Sequence, residues 1–148
     1  MARFIYRMQS ILNIKEKMEE QARMEFAAAR MRLDEEELKL QALIERKESY
    51  EEQGRELRRH ALKVMDIMEN REAIGVIDEF ILVQREQIRI AERALENARD
   101  KLRDAMQESR TQEKLREKAF EEFMREENAR EAREVDELVS YTHGSAKR

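Results

Sequence analysis

Cysteine, proline and tryptophan are absent from the 148 residues, and glycine occurs three times. Without cysteine the chain can form no disulfide and no thiolate metal site. Without proline, and with glycine so sparse, it lacks the residues that break helices and turn strands. No run of eighteen apolar residues offers a membrane span, and the N-terminus carries no apolar run with a small-residue cleavage site. The expected setting is cytoplasmic. The glycines at 54, 75 and 144 lie too far apart for a phosphate-cradling loop, and no serine stands in a nucleophile motif. A di-iron carboxylate bundle needs Glu-x-x-His pairs, yet Leu57 precedes His60 by three residues and Ser140 precedes His143. The chain is therefore read as non-enzymatic, with no cofactor and no metal.

What is abundant is charge. Charged residues make up 43% of the chain, against roughly 25% in globular domains. Thirty basic and 34 acidic side chains are interleaved, so the net charge of −4 reflects cancellation. That pattern argues against both an acidic disordered tail and a polybasic nucleic-acid binder. Most of the remaining residues are strong helix formers, and helix is expected nearly throughout.

The apolar residues lie in stripes. Ile5, Met8, Leu12, Lys15, Glu19, Ala22, Phe26, Ala29, Leu33, Glu36, Leu40, Leu43, Lys47, Tyr50, Gly54, Leu57, Ala61, Val64 and Met68 follow one another at spacings of three and four, the seam of a coiled coil. A second stripe runs through Ile74, Ile77, Ile81, Gln84, Ile88, Ala91, Leu95, Ala98, Leu102 and Ala105. Two helices of similar length each need a partner, and a short connection lets each serve the other. The expected fold is all-α: a long antiparallel two-helix coiled-coil hairpin, a single domain over residues 1–148 and monomeric when free. Helix 1 is expected at about 3–69, a bend at about 70–77 marked by Asn70 and Gly75, helix 2 at about 78–141 with Asp78 as its cap, and a frayed tail at 142–148 after a C-cap at Gly144. That bend would set Tyr50 beside Ala98, Leu57 beside Ala91 and Leu43 beside Ala105. Past Ala105 the stripe weakens through Ser109, Gln112 and Arg116, which suggests a register shift or a loosened seam.

Several features allow more than one reading. Gly54, on the seam, fits a close crossing by the second helix or a hinge. The acidic run Asp34 to Glu37 fits a solvated helix face better than a cation site. The cluster Arg55, Arg58, Arg59, His60 and Lys63 is the one basic patch, bordered by Glu51, Glu52 and Glu56. Ile11, Met18, Met24, Met31, Leu38, Ile44, Phe80, Val83, Ile90, Met106, Phe120 and Met124 lie off both stripes. They either widen the seam or form exposed docking surface.

Three stretches resemble the FliJ family, the coiled-coil component of bacterial flagellar type III export: Phe4 to Leu12, Ile77 to Ile81, and Glu113 to Phe123 followed by Asp136-Glu137-Leu138. The resemblance implies a stalk docking into the hexameric export ATPase ring, contacting the cytosolic region of the export gate, and meeting export chaperones. It implies a cytoplasmic protein held peripherally at the inner-membrane export apparatus, with no nucleic acid and no membrane insertion. For the ring, the open end of the hairpin is expected to serve, through Ile5, Met8, Leu12, Phe120, Phe123 and Leu138. For the gate, Leu43, Tyr50 and Phe80 match apolar and aromatic family positions; Arg46 and Gln84 depart from that pattern. The alternatives are a general coiled-coil scaffold dimerising along the stripes, a chaperone-binding module using the methionine face, and the equivalent stalk of a virulence-type secretion system.

Overall fold

The computed structural model describes residues 2–60 and 63–146, with side chains through Gly144. The fold is all-α, and no strand occurs among the described residues. Helices α1 (Gln9–Arg59, 51 residues) and α2 (Val64–Ala146, 83 residues) pack antiparallel as a coiled-coil hairpin. The chain divides into two compact units, Gln21–Leu102 and Met1–Glu20 with Arg103–Arg148.

In the first of these units the seam follows the periodicity closely. Along α1, Ala22 and Gly54 are buried, and every intervening stripe position, from Phe26 to Tyr50, is half-buried. Along α2, Ile77, Ile81, Ala91 and Leu95 are buried in phase with half-buried Ile67, Asn70, Ile74, Gln84, Ile88 and Ala98. Polar ties across the seam fix the register, among them Lys101 to Glu25 at 2.8 Å, Gln84 Nε2 to the Glu36 carbonyl at 2.9 Å, Lys47 to Asp78 at 2.7 Å, and Asn70 Nδ2 to the Tyr50 carbonyl at 2.8 Å. Polar residues on a seam trade stability for a unique alignment, because any slip leaves them unpaired.

The turn lies earlier in the chain than expected. α1 ends at Arg59 and α2 begins at Val64, so residues 70–77 are helical and Asp78 pairs with Lys47 instead of capping a helix. Tyr50 accordingly lies beside Asn70, not Ala98, and the expected pairings of Leu57 with Ala91 and Leu43 with Ala105 shift with it. Two features mask the turn in the sequence. The spacing of the first stripe runs on through Val64 and Met68, but both are exposed and belong to α2. The second stripe reaches back through Asn70 to Ile67, upstream of the apparent breaker Gly75, where an added Cβ would meet nothing within 4 Å. The helix termini are nonetheless marked electrostatically: Arg58 and Arg59 lie in the last turn of α1 and Asp66 in the first turn of α2, both complementing the helix dipoles.

Gly54 marks a close crossing. A Cβ at this position would stand 2.6 Å from Asn70 Oδ1, so the α2 side chain lies directly on the α1 backbone.

The second unit opens with residues 2–8, which are not helical although helix 1 was expected from about residue 3. The Tyr6 carbonyl accepts from the Gln9 amide at 3.2 Å, and the Met8 carbonyl accepts from Ile11 and Leu12, each at 3.1 Å. Across the pair, Lys15 meets Glu108 at 2.8 Å and Arg116 donates to Gln9 Oε1 at 3.0 Å. Leu12 and Ser109 are buried, and Gln112, Ala119 and Phe123 are half-buried. The α2 stripe thus keeps its phase past Ala105, and no register shift occurs. α2 continues to Ala146, so residues 142–146 are helical and Gly144 does not adopt a positive φ to end the helix; residues 147 and 148 of the expected tail lie outside the described residues.

Candidate docking surfaces

On one face of the unit Gln21–Leu102, the two helices leave a groove of about 400 Å³ lined by Lys39, Ala42, Leu43 and Arg46 of α1 and Phe80, Val83 and Gln84 of α2. Leu43 and Phe80, widely separated in sequence, are brought together here. They play different parts. Leu43 is a half-buried seam residue, whereas Phe80 is 56% exposed and supplies the aromatic wall. Tyr50 is not among the lining residues; it sits half-buried on the seam, its carbonyl engaged by Asn70. Gln84 is held to both the carbonyl and the carboxylate of Glu36. Its amide, together with Lys39 and Arg32 nearby, keeps the Glu36 carboxyl below its ordinary range despite partial burial. The groove is thus apolar at its centre, with Lys39 and Arg46 adding positive charge to its α1 wall.

In the unit Met1–Glu20 with Arg103–Arg148, Phe4 organises an aromatic cluster. Its ring meets Phe120 edge-on with centroids 5.2 Å apart and Phe123 at 5.4 Å, and the Arg116 guanidinium lies 5.7 Å from its centroid. Such contacts add about 0.5–1.5 kcal/mol per ring pair beyond area burial. Ile5 and Met8 are exposed beside Phe4 in sequence, and Phe120 retains an exposed flank. Leu12, by contrast, is 3% exposed and belongs to the core of the pair.

Beyond the cluster, every residue of α2 from Asn128 to Gly144 is exposed. This stretch carries Val135, Leu138, Val139 and Tyr141 among four carboxylates and two arginines. Val135, Leu138, Val139, Thr142 and His143 line one shallow surface, and Glu134, Glu137, Leu138 and Tyr141 another. Leu138 is 65% exposed and stands about 22 Å along the helix from Phe123, so the two are separate contacts.

Phe4, Val135 and Val139 are not singled out by the stripes; Val83 stands among the apolar residues off both stripes, and Arg116 figures only as a polar position on the weakened second stripe. Phe4 lies ahead of the first stripe in a non-helical segment, where helical periodicity has no meaning, although it opens the first of the three stretches that carry the family likeness. Val135 and Val139 lie on helix without a partner strand of seam to phase them.

A family model described as the flagellar FliJ protein matches residues 4–148. The chain belongs to the FliJ family. FliJ proteins are non-catalytic components of type III export, and this chain is a type III export stalk protein. The fold is similar to that of CT670 from Chlamydia trachomatis, described as a YscO homolog, with 22% identity, a TM-score of 0.70, and coverage of 99% of this chain and 98% of that one. At that identity the likeness concerns the fold. A search of curated proteins found no match. No helix among the described residues is long and apolar enough to cross a membrane, and no cluster of three or more His, Asp or Glu side chains among them could hold a metal.

Proposed function

We propose that this FliJ-family protein is a stalk of the bacterial flagellar export apparatus that docks by its chain ends into the export ATPase ring and by its groove onto the export gate. The observation that carries the reading is the stretch of α2 from Asn128 to Gly144, exposed at every residue, which displays Leu138, Val139 and Tyr141. A helix exposed at every residue while keeping apolar side chains needs a second surface to bury them. Phe120 and Phe123, with Ile5 and Met8, supply an aromatic and apolar base to that docking end; Leu12 serves by holding the pair closed. Ring subunits that grip this end unequally are biased toward active conformations. Removing residues 124–148 is expected to abolish binding to the ATPase ring while the helical signal of the remaining pair persists. Undiminished binding would sink this assignment.

For the gate, Phe80 with Val83 and Ala42 forms the contact, and Leu43 supports it from the seam. Phe80→Ala is expected to weaken gate binding without altering the melting temperature by more than a degree or so, since the ring is exposed. Equal gate affinity in wild type and variant would exclude the groove.

Export chaperones are the third class of partner. Met18, Met24, Met31 and Leu38 are all exposed on α1, and flexible thioethers adapt to several surfaces. Charge substitutions at Met24 and Met31 are expected to remove chaperone binding and spare the ring; chaperone binding that survives them contradicts this role. The protein works in the cytoplasm, peripherally at the inner-membrane export apparatus.

A further inference from the structure

We infer that the turn end of the hairpin is a contact for an anionic lipid surface. The observation is a set of apolar side chains that the seam leaves out: Val64, Met65 and Met68, in the first two turns of α2, are 67%, 69% and 60% exposed. Val64 and Met68 continue the α1 stripe in sequence but stand exposed at the start of α2, where Ile67 and Asn70 take up the seam instead.

Between Glu56 and Asp66 the chain carries three cations, Arg58, Arg59 and Lys63, and no carboxylate. Arg59 leans back on Glu56 at 2.9 Å, and His60 Nε2 lies 3.6 Å from the same carboxylate. Arg58 and Lys63 have no ion pair among the described residues. Two unneutralised cations thus stand beside three projecting apolar side chains at the end of a hairpin.

This combination matches a lipid interface chemically. Short apolar side chains enter the boundary between headgroups and acyl chains while lysine and arginine reach up to the phosphates. Projecting side chains at a turn suit a fluid surface, which deforms around them, better than a preformed pocket. The groove lined by Leu43 and Phe80 lies about 25 Å down the helices, so it stays accessible while the turn rests on lipid. The inference stands independently of the ring and gate contacts. Each cation near an anionic leaflet contributes about a fivefold gain in partitioning, enough to bias orientation and too little for permanent attachment.

The test is co-sedimentation of the full chain with sucrose-loaded vesicles, either phosphatidylcholine alone or mixed with phosphatidylglycerol, at low and at physiological salt. Pelleting is expected with phosphatidylglycerol vesicles and not with phosphatidylcholine alone. Arg58→Gln with Lys63→Gln is expected to weaken it by more than about tenfold. Val64→Ser, Met65→Ser and Met68→Ser together, at unchanged charge, are expected to weaken it at least about fivefold. The same three-serine change at Met24, Met31 and Leu38 serves as a control and is expected to leave pelleting unaltered. Circular dichroism on each variant verifies that helicity is kept. Pelleting that ignores the turn substitutions, or that responds to charge and not to the apolar triple, overturns the inference. Absence of pelleting on phosphatidylglycerol vesicles overturns it too and turns attention to an acidic protein surface.

Discussion

The Asn70 side-chain amide donates a 2.8 Å hydrogen bond to the main-chain carbonyl of Tyr50, reaching the α1 backbone where Gly54 has no Cβ to obstruct it. The carbonyl of Tyr50 is the one that the Gly54 amide addresses in regular α-helix, and its second lone pair is free for the incoming donor. One glycine and one asparagine thereby lock the alignment of the two helices near the turn.

The lock predicts a change of sign. Gly to Ala in a helix interior ordinarily gains about 1 kcal/mol. Here the new methyl would stand 2.6 Å from Asn70 Oδ1 and must push the amide off the carbonyl. In the wild-type background Gly54→Ala is expected to be neutral or destabilising by up to about 1 kcal/mol, the worth of a part-buried hydrogen bond set against the propensity gain. In an Asn70→Ala background the same change is expected to stabilise by about 1 kcal/mol. Thermal melts of the four proteins measure the coupling; additive effects would show that the lock does not exist.

Much of this arrangement was legible in the sequence, and the exceptions have physical causes. The stripe positions from Ala22 to Leu57 on α1 and from Ile74 to Ala105 on α2 are all buried or half-buried, because helical period dictates which face needs cover, and flanking positions such as Ile44, Gln87 and Ala94 widen that face. Gly54 was readable as a close crossing for the same reason. The turn was not, since neither glycine nor proline marks it, and Val64 and Met68 prolong the first stripe beyond its helix. Asn70 looked like a breaker and is a seam residue, a distinction set by a carbonyl on the other helix. Of the candidate docking residues, Leu43 and Phe80 share a groove, whereas Tyr50 and Leu12 are drawn into the seam and core. Phe4 had no periodicity to reveal it.

The Phe4 cluster predicts a local loss of stability. Phe4→Ala removes two ring contacts and the Arg116 stacking partner. Hydrogen exchange is expected to accelerate in residues 9–20 and 113–124, by about tenfold if roughly 1.4 kcal/mol is lost, and to stay unchanged around residues 70–90. Uniform acceleration along the chain would contradict an anchoring role confined to that end.

Ser109 is 1% exposed, and its hydroxyl has no hydrogen-bond partner among the described residues. An unsatisfied buried hydroxyl costs about 1–3 kcal/mol. Ser109→Ala is therefore expected to raise stability by about 1 kcal/mol, measured by urea melts at unchanged slope. A loss of stability would show that the hydroxyl is satisfied by water or backbone in solution.

Acidification tests the cross-seam ties. The Lys101 ammonium holds the Glu25 carboxyl below its usual value, and the Gln84 amide does the same for Glu36. A group whose folded pKa is depressed stabilises fully above its unfolded value and loses that contribution as pH falls through the folded value. Melting temperature is expected to decline on acidification below the ordinary carboxylate range of about pH 4, and Glu25→Gln with Glu36→Gln is expected to flatten that decline. Asp78 raises the Lys47 ammonium instead, so its contribution is complete below the ordinary lysine value and is lost only as pH rises through the raised one. An acid limb as steep in the double variant as in wild type would remove these ties from the account.

The most direct measurement is the hydrolysis rate of the cognate flagellar export ATPase titrated with this protein, comparing wild type with a Phe120→Ala, Phe123→Ala double variant of verified helicity. Docking of the chain ends into the ring predicts saturable stimulation by wild type and its loss in the variant. A hydrolysis rate unchanged at every ratio, with no complex formed, would contradict the stalk-in-ring assignment.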